Sequence, residues 1–372
     1  MTRTKRSGGR QVEKRLSALF DAAEAEGALL CPMEERDRRA LQRRASVEEK
    51  PDVISPFRGL YARYAYWDML KPDARALHVM RGLARMHPDW VFSAQSAALA
   101  HGFPMSYGVL TKPHVVAPTG GRVRRRSAVV RHEVVRDEPA IASGVRVTSF
   151  WRTVFDCLAT LDFDEALLVA DCALRRKKMS RRRMAELLSA RFEGCPGIKR
   201  AMSVCWWAEP CAESGGESLA RATMVRLGFE TPHLQVELPD PIDPRKRFRL
   251  DFVWRDESRR LIFGEFDGKA KYQKKQVESG KPLGDVLDSE HERQTRLTVY
   301  RASFLRLSFA EARSAERLTQ KLVTYGVPRD EPPRLVGGVP VASAEVRQRP
   351  TILGEGTLVL LSQRVRYTRE AA

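Results

Sequence analysis

Three acidic residues in the C-terminal half of the chain have the spacing of a metal-binding site. Glu265 and Asp267 lie two positions apart on a predicted strand, so their side chains share one face of it. If this strand forms a hairpin with the strand before it, Asp251 lies directly opposite Glu265, and the two like charges repel each other. Mg²⁺ is held by one or two carboxylates and keeps positions for water and phosphate. The pattern predicts a Mg²⁺ or Mn²⁺ site for phosphodiester hydrolysis, with Glu217 as a further ligand.

The residues around these carboxylates bear on whether the site is functional. Lys269 continues the face of Glu265 and could stabilise the nucleophile or the developing charge. Asp251 interrupts an apolar run, although aspartate is disfavoured in strands, and this favours a functional role. The alternative is an exposed sheet edge on which the acidic residues only improve solubility.

The elements that carry these residues follow the order α-β-β-β-α-β within residues 212–328. Apolar periodicity and turn residues place two helices and four strands there. The predicted helices are 217–227 and 286–298, and the predicted strands are 233–238, 248–254, 261–267 and 304–309. This order is typical of an α/β layer arrangement.

Between Glu217 and Arg306 the sequence resembles the Vsr-like branch of the PD-(D/E)XK nuclease superfamily. The resemblance rests on Glu217, Asp251, the run Glu265-Phe266-Asp267-Gly268-Lys269 and the segment that begins at 285. It implies a restriction-endonuclease-like α/β core, with Glu217, Asp251 and Glu265 as acidic metal-site positions. Asp267 occupies the slot that often holds lysine in the superfamily, so Lys269 or Lys271 would have to serve instead. Arg293 and Arg306 are implied as supporting positions.

The composition points to a polyanionic partner. Lysine and arginine total 65 against 47 aspartates and glutamates, which gives a net charge of +18. Nucleic acid, most simply DNA, is the commonest partner of so basic a chain, although charge can also serve solubility alone. The predicted nucleic-acid contacts are Arg58, Arg122, Arg124, Arg125, Arg126, Arg293 and Arg306. Four of them lie in one predicted tight turn, which could equally be a solvated loop.

The N-terminal two-thirds predicts a second kind of module. Residues 1–10 are expected to form a basic arm, and 11–70 two helices and a hairpin with Arg58-Gly59 at its turn. This pattern suggests a winged helix-turn-helix, or else a helix pair with an ordinary hairpin. The segments 58–62, 93–102 and 147–156 resemble AbiEi-type antitoxin and regulator proteins. That resemblance implies a mixed α/β middle domain at 71–193. Glycine, proline and turn residues separately predict a linker at 194–211 and a linker and tail at 329–372.

We therefore expect a multi-domain α+β protein with one of two functions. The first is a Mg²⁺-dependent endonuclease that a basic N-terminal module guides to DNA. The second is a transcriptional regulator or antitoxin-like protein with an inactive nuclease fold, whose partners would include a toxin or toxin operator DNA. The N-terminus has no signal peptide pattern, no apolar run is long enough to span a membrane, and the cysteines show no paired spacing. These features predict a cytoplasmic protein with reduced thiols and no membrane partner.

Overall fold

The computed structural model describes residues 3–49, 51–117, 128–243, 245–258, 260–267 and 283–341, with the backbone alone at 3–10, 283 and 285–290. The chain forms two compact units, Met1–Cys157 and Leu158–Ala372. Both combine helices with small sheets, so the protein belongs to the multi-domain α+β class that the sequence predicts.

The N-terminal unit begins with two helices, α1 (Arg3–Ala25) and α2 (Glu35–Ala45). Residues 3–10, which belong to the stretch that the sequence predicts as a basic arm, are the first turns of α1. No proline interrupts this stretch, and adding a residue to an existing helix costs little compared with nucleating one. The apolar stripe that holds α1 consists of Leu16, Phe20 and Ala23, all buried.

A β-hairpin follows these helices, as the sequence predicts. Strand β1 (Val53–Phe57) pairs antiparallel with β2 (Leu60–Arg63), and Arg58 and Gly59 form the turn. Gly59 has a φ of 80°, a left-handed conformation that glycine adopts without steric cost. The hairpin leads into α3 (Tyr64–Met69) and α4 (Pro72–Met86).

Among the described residues between 87 and 149, the N-terminal unit has one short α-helix, α5 (Ala94–Ala100), and four short strands. The strands are β3 (His114–Val116), β4 (Val130–His132), β5 (Ala140–Ala142) and β6 (Val145–Val147). β3 and β4 pair in parallel, so they are not the arms of a hairpin, and the tight turn that the sequence predicts between them lies outside the described residues. The fully buried Phe92 bridges Val115 and Val147 and so joins the two strand pairs.

Helices connect this part of the chain to the C-terminal sheet. They are α6 (Phe150–Thr160), α7 (Phe163–Lys177), α8 (Arg181–Arg191) and α9 (Ile198–Cys205). The segment 194–211, for which the sequence predicts a linker, contains α9, whose Ala201, Val204 and Cys205 are buried. From Leu158 onward these helices belong to the same unit as the C-terminal sheet.

The C-terminal sheet has the predicted element order. Helix α10 (Gly215–Arg226) precedes β7 (His233–Pro239), β8 (Arg247–Arg255) and β9 (Leu261–Phe266). Helix α11 (Leu283–Leu297) then leads to β10 (Ser303–Leu307), and α12 (Phe309–Arg313) and α13 (Ala315–Thr324) follow. The strand order is β10-β9-β8-β7, with β10 parallel to β9 and the other pairs antiparallel. A further short hairpin pairs β11 (Leu335–Val336) with β12 (Val339–Pro340).

Within the part of the chain that the structure describes, no helix is both long and apolar enough to cross a membrane. All six cysteines are free thiols, which agrees with their unpaired spacing in the sequence.

Candidate active site at one end of the C-terminal sheet

Helix α10 carries Glu217 to the sheet. Ser214 caps the helix by accepting a hydrogen bond from the Glu217 backbone N–H, at 3.2 Å. A Cβ atom at Gly216 would overlap the Phe266 ring, so glycine lets the start of α10 lie directly against β9. The Glu217 side chain is fully buried and accepts hydrogen bonds from the Ser214 hydroxyl at 2.8 Å and the Glu213 backbone N–H at 2.9 Å. Glu217 therefore also stabilises the helix start.

A buried ion pair holds α10 against α7. The Arg221 guanidinium donates to Asp171 of α7 at 2.7 Å and to the Trp207 carbonyl at 2.8 Å. Asp171 also accepts from the backbone N–H of Glu209, at 2.7 Å. Burial raises the pKa of Asp171 above its ordinary value although Arg221 opposes the shift, and burial raises the pKa of Glu209 to about 7.

Gln235 of β7 connects two of the predicted metal-site carboxylates. Its side-chain Nε2 donates to Glu217 Oε2 at 3.0 Å and, at the longer distance of 3.4 Å, to Asp251 Oδ1. The other end of this amide, Oε1, is buried and has no hydrogen-bond partner among the described residues. The Gln235 backbone has a φ of 50°, in the left-handed region that is costly for a residue other than glycine. A strained polar residue between two acids is typical of a functional site.

The side-chain alternation of two strands breaks at this point. Leu234 and Phe252 pack in the apolar cluster that contains Met224 of α10. Val236 lies two positions after Leu234, and Leu250 lies two positions before Phe252. Both pack instead in the cluster that contains Leu297 of α11. In a regular strand, residues two apart lie on one face. The positive φ of Gln235 therefore accompanies a switch of faces.

Asp251 lies in the predicted register with Glu265. The β8–β9 ladder pairs Val253 with Phe263 and Phe252 with Gly264, so the next pair outward in this register is Asp251 and Glu265. Asp251 is 8% exposed, and its Oδ2 accepts from the Phe266 backbone N–H at 2.9 Å. The hairpin thus brings the two acidic positions to neighbouring strands at the same level of the sheet.

Glu265 and Asp267 each pair with an arginine from an adjacent element. Arg293 of α11 lies 2.5 Å from Glu265 Oε1 and also donates to the Arg249 carbonyl at 2.8 Å. Arg306 of β10, the register partner of Glu265, donates to Asp267 Oδ1 at 3.1 Å. Both arginines, which the sequence places among the nucleic-acid contacts, are engaged with acids of the site.

The donor set is chemically suited to a hard cation, although the site is not preassembled. Among the described residues, no group of three or more His, Cys, Asp or Glu side chains is arranged to hold a metal ion. Carboxylate oxygens are ligands that Mg²⁺ accepts, whereas the end of the Gln235 amide that contacts Glu217 and Asp251 is Nε2, a hydrogen-bond donor. The carboxylates at this end of the sheet are therefore chemically suited to bind Mg²⁺.

The remaining predicted site residues lie elsewhere. Arg58 is exposed at the turn of the N-terminal hairpin, in the other unit of the chain. The predicted positions Lys269, Lys271, Arg122, Arg124, Arg125 and Arg126 lie outside the described residues. Sequence reasoning missed Gln235, because the alternation of Leu234, Val236 and Leu238 gives it the pattern of an ordinary strand residue.

Comparison with known proteins gives partial relatives and no activity. No protein-family profile matches the chain. The chain is 30% identical over 163 residues to the uncharacterized protein Rv2248 of Mycobacterium tuberculosis strain H37Rv, and equally to the uncharacterized protein MT2308 of strain CDC 1551. The matched stretch is 43% of this chain and 57% of each relative, so the chain spans little more than half the length of the curated relatives it matches.

Proposed function

We propose that the C-terminal unit is a Mg²⁺- or Mn²⁺-dependent endonuclease that hydrolyses phosphodiester bonds in DNA. The observation that carries the proposal is the Gln235 bridge. The side-chain amide of Gln235, a residue with a strained backbone, donates to both Glu217 and Asp251. The β8–β9 register brings Asp251 to the level of Glu265. Acids that served only solubility would have no need of a strained residue to hold them together. The basic composition of the chain supports nucleic acid as the substrate.

The residues of the site have distinct roles in this proposal. Glu217, Asp251 and Glu265 would hold the cation, which would polarise the phosphodiester and lower the pKa of a bound water. The Phe266 N–H and the Gln235 amide fix the Asp251 carboxylate from two sides. Arg293, next to Glu265, carries a planar guanidinium suited to the oxygens of a phosphate. Arg306 orients Asp267.

The experiment is plasmid nicking by the full chain with Mg²⁺, Mn²⁺ or EDTA. We expect metal-dependent nicking that Asp251→Asn and Glu265→Gln abolish. The matched control is Glu237→Gln, because Glu237 is an exposed carboxylate on the same strand as Gln235, and it should retain activity. A wild-type protein that does not nick DNA with either metal, or two site variants as active as the control, would refute the proposal.

Metal binding can be measured separately from cleavage. A ligand that binds only the folded state stabilises it by about 2.7 kcal/mol at a hundredfold excess over Kd. Mn²⁺ should therefore raise the melting temperature of the wild type and of Glu237→Gln, but not that of Asp251→Asn. Equal melting of the wild type with Mn²⁺ and with EDTA would contradict a cation site.

A second candidate function is a DNA-binding regulator or antitoxin-like protein that uses the nuclease-like unit as a scaffold. It is favoured by the pairing of Glu265 with Arg293 and of Asp267 with Arg306, since guanidinium groups already neutralise two of the acids. A toxin or toxin operator DNA would then be the partner. This function is indicated if the chain binds DNA with unchanged affinity in Glu265→Gln and never cleaves it.

A further inference from the structure

A cluster of exposed basic side chains lies where α7 ends and α8 begins. We call this cluster the basic corner, and its members are Arg176, Lys177, Lys178, Arg182 and Arg183. Glu186 is the only carboxylate residue among positions 176–186 of the sequence. The corner is therefore strongly positive, and none of its members is among the nucleic-acid contacts that the sequence predicts.

Local helix stability accounts for only part of the basic corner. Arg176 and Lys177 lie in the last turn of α7, where the partial negative charge of a helix C-terminus favours cations. Arg182 and Arg183 lie in the first turn of α8, which has no acidic residue, and cations are unfavourable there for the same reason. Both arginines pair with Glu186, at 3.1 and 3.6 Å, but exposed ion pairs contribute little. An anion bound at the corner would offset the repulsion at the start of α8.

The backbone of Lys178 is strained. Lys178 follows the last residue of α7 with φ 48° and ψ 49°, in the left-handed region. Helices often end on glycine in this conformation, because it costs other residues roughly 1–2 kcal/mol. Lys178 is exposed, so burial of its side chain does not explain the lysine. A charged residue at a strained, exposed position is typical of a functional surface.

Helix α7 runs antiparallel to α10, the helix that carries Glu217. Asp164 near the start of α7 accepts two hydrogen bonds from Arg226, the last residue of α10, each at 2.8 Å. Asp171 in the middle of α7 accepts from Arg221 in the middle of α10, at 2.7 Å. The end of α7 therefore lies beside the start of α10.

This pairing brings the basic corner to the end of α10 at which Glu217 lies. Glu217 is four residues before Arg221, so it is level with about Arg175 of α7. Arg175 agrees with this level, since it donates to the Ala212 carbonyl just before α10 begins. Lys177 is two residues further on, which is about 3 Å along the helix axis. Packed helices are 8–10 Å apart, so the backbone of the corner begins roughly 10 Å from that of Glu217.

We propose that the basic corner binds the phosphate backbone of duplex DNA beside the point of cleavage. The inference rests on the proposed function for the identity of the ligand, since the corner and the acidic site belong to the same unit. Duplex DNA carries one negative charge per roughly 1.7 Å of its axis, so a duplex at Glu217 has several phosphates within about 10 Å. Phosphate contacts fix the position of a duplex without reading its sequence. The corner thus orients the DNA over the acidic site.

The test is the salt dependence of duplex DNA binding by the full chain, measured by fluorescence anisotropy in EDTA from about 50 to about 200 mM salt. Each lost phosphate contact makes the log–log slope less steep by roughly 0.9. Lys178→Gln combined with Arg182→Gln should therefore flatten the slope by about 1.8, which makes the loss of affinity over this range roughly twelvefold smaller.

The matched control is Arg191→Gln combined with Lys199→Gln. It also removes one exposed arginine and one exposed lysine of the same unit, but at the last residue of α8 and near the start of α9. The slope of this control should remain that of the wild type. Lys178→Arg combined with Arg182→Lys keeps both charges and should also keep the wild-type slope. If circular dichroism shows that the double glutamine variant does not fold, each single variant should flatten the slope by roughly 0.9.

An unchanged slope in the folded corner variants, or an equal decrease in the control, overturns the proposal. The titrations contain no divalent metal, so their outcome does not depend on cleavage. A chain that binds DNA through the corner but never nicks it refutes the nuclease and supports the corner. A chain that nicks DNA, and whose slope the corner variants do not change, refutes the corner alone.

Discussion

Alanine and glycine at position 235 separate the two effects of Gln235 on stability. Both substitutions remove the hydrogen bonds to Glu217 and Asp251, at 3.0 and 3.4 Å. The shorter bond to a charged group is worth about 1.5–3 kcal/mol, and the longer one adds little. Alanine keeps the left-handed strain, since φ is 50°, whereas glycine relieves about 1–2 kcal/mol of it.

We therefore expect Gln235→Gly to be more stable than Gln235→Ala by about 1 kcal/mol. This order is the reverse of the ordinary one, because glycine inside a strand is roughly 0.5–1 kcal/mol less stable than alanine. The free energies of unfolding are measured by urea titration with tryptophan fluorescence, which Trp254 in the neighbouring strand reports. A difference of 1 kcal/mol also corresponds to about 2–4 °C in Tm for a unit of this size.

A matched pair on the same strand provides the control. Glu237 is exposed and does not have a positive φ, so Glu237→Ala should be more stable than Glu237→Gly. If the glycine variant at 235 is also the less stable one, the strand is not strained there. The change of side-chain face along β7 and along β8 would then need another cause, and the main support for a functional site would be lost.

Three further predictions concern charged groups. Burial is the largest cause that lowers the pKa of His114 to about 4 and raises the pKa of Asp156 to about 6. Because of His114 the protein loses stability as pH falls from 6.5, and because of Asp156 it loses stability as pH rises from 3.8. Each effect is roughly 3 kcal/mol, and the two oppose each other. In urea titrations between pH 4 and 6, the stability of His114→Gln, which keeps Asp156, should fall as pH rises, and that of Asp156→Asn, which keeps His114, should rise as pH rises. Parallel profiles would contradict this. Asp171→Asn leaves the Arg221 charge buried and should cost about 3–5 kcal/mol, whereas a loss under 1 kcal/mol would show that the pair does not hold α10. Arg293→Gln removes the cation that lies against Glu265, so calorimetry should show tighter Mn²⁺ binding, and an unchanged affinity would mean that arginine and metal do not compete.

Local sequence patterns were sufficient for the order of elements from α10 to β10 and for the level of Asp251 beside Glu265. The Arg255–Arg260 turn separates two apolar strands, and a hairpin with a short turn leaves few registers that bury both. The N-terminal hairpin was predictable for the same reason, since Arg58-Gly59 follows one strand and precedes the next.

The tertiary structure alone decided what these residues contact. Gln235 has the sequence pattern of an ordinary strand residue, and only the tertiary structure shows its left-handed backbone and its hydrogen bonds to Glu217 of α10 and Asp251 of β8. Arg293 and Glu265 are separated in sequence and meet only in the folded chain, where Leu297 of α11 packs in the same cluster as Phe263 of β9. The parallel pairing of β3 and β4, and the Phe92 bridges from β3 to β6, are likewise visible only in the tertiary structure. Periodicity records which side of an element is buried, and it carries no information on which distant residue that side meets.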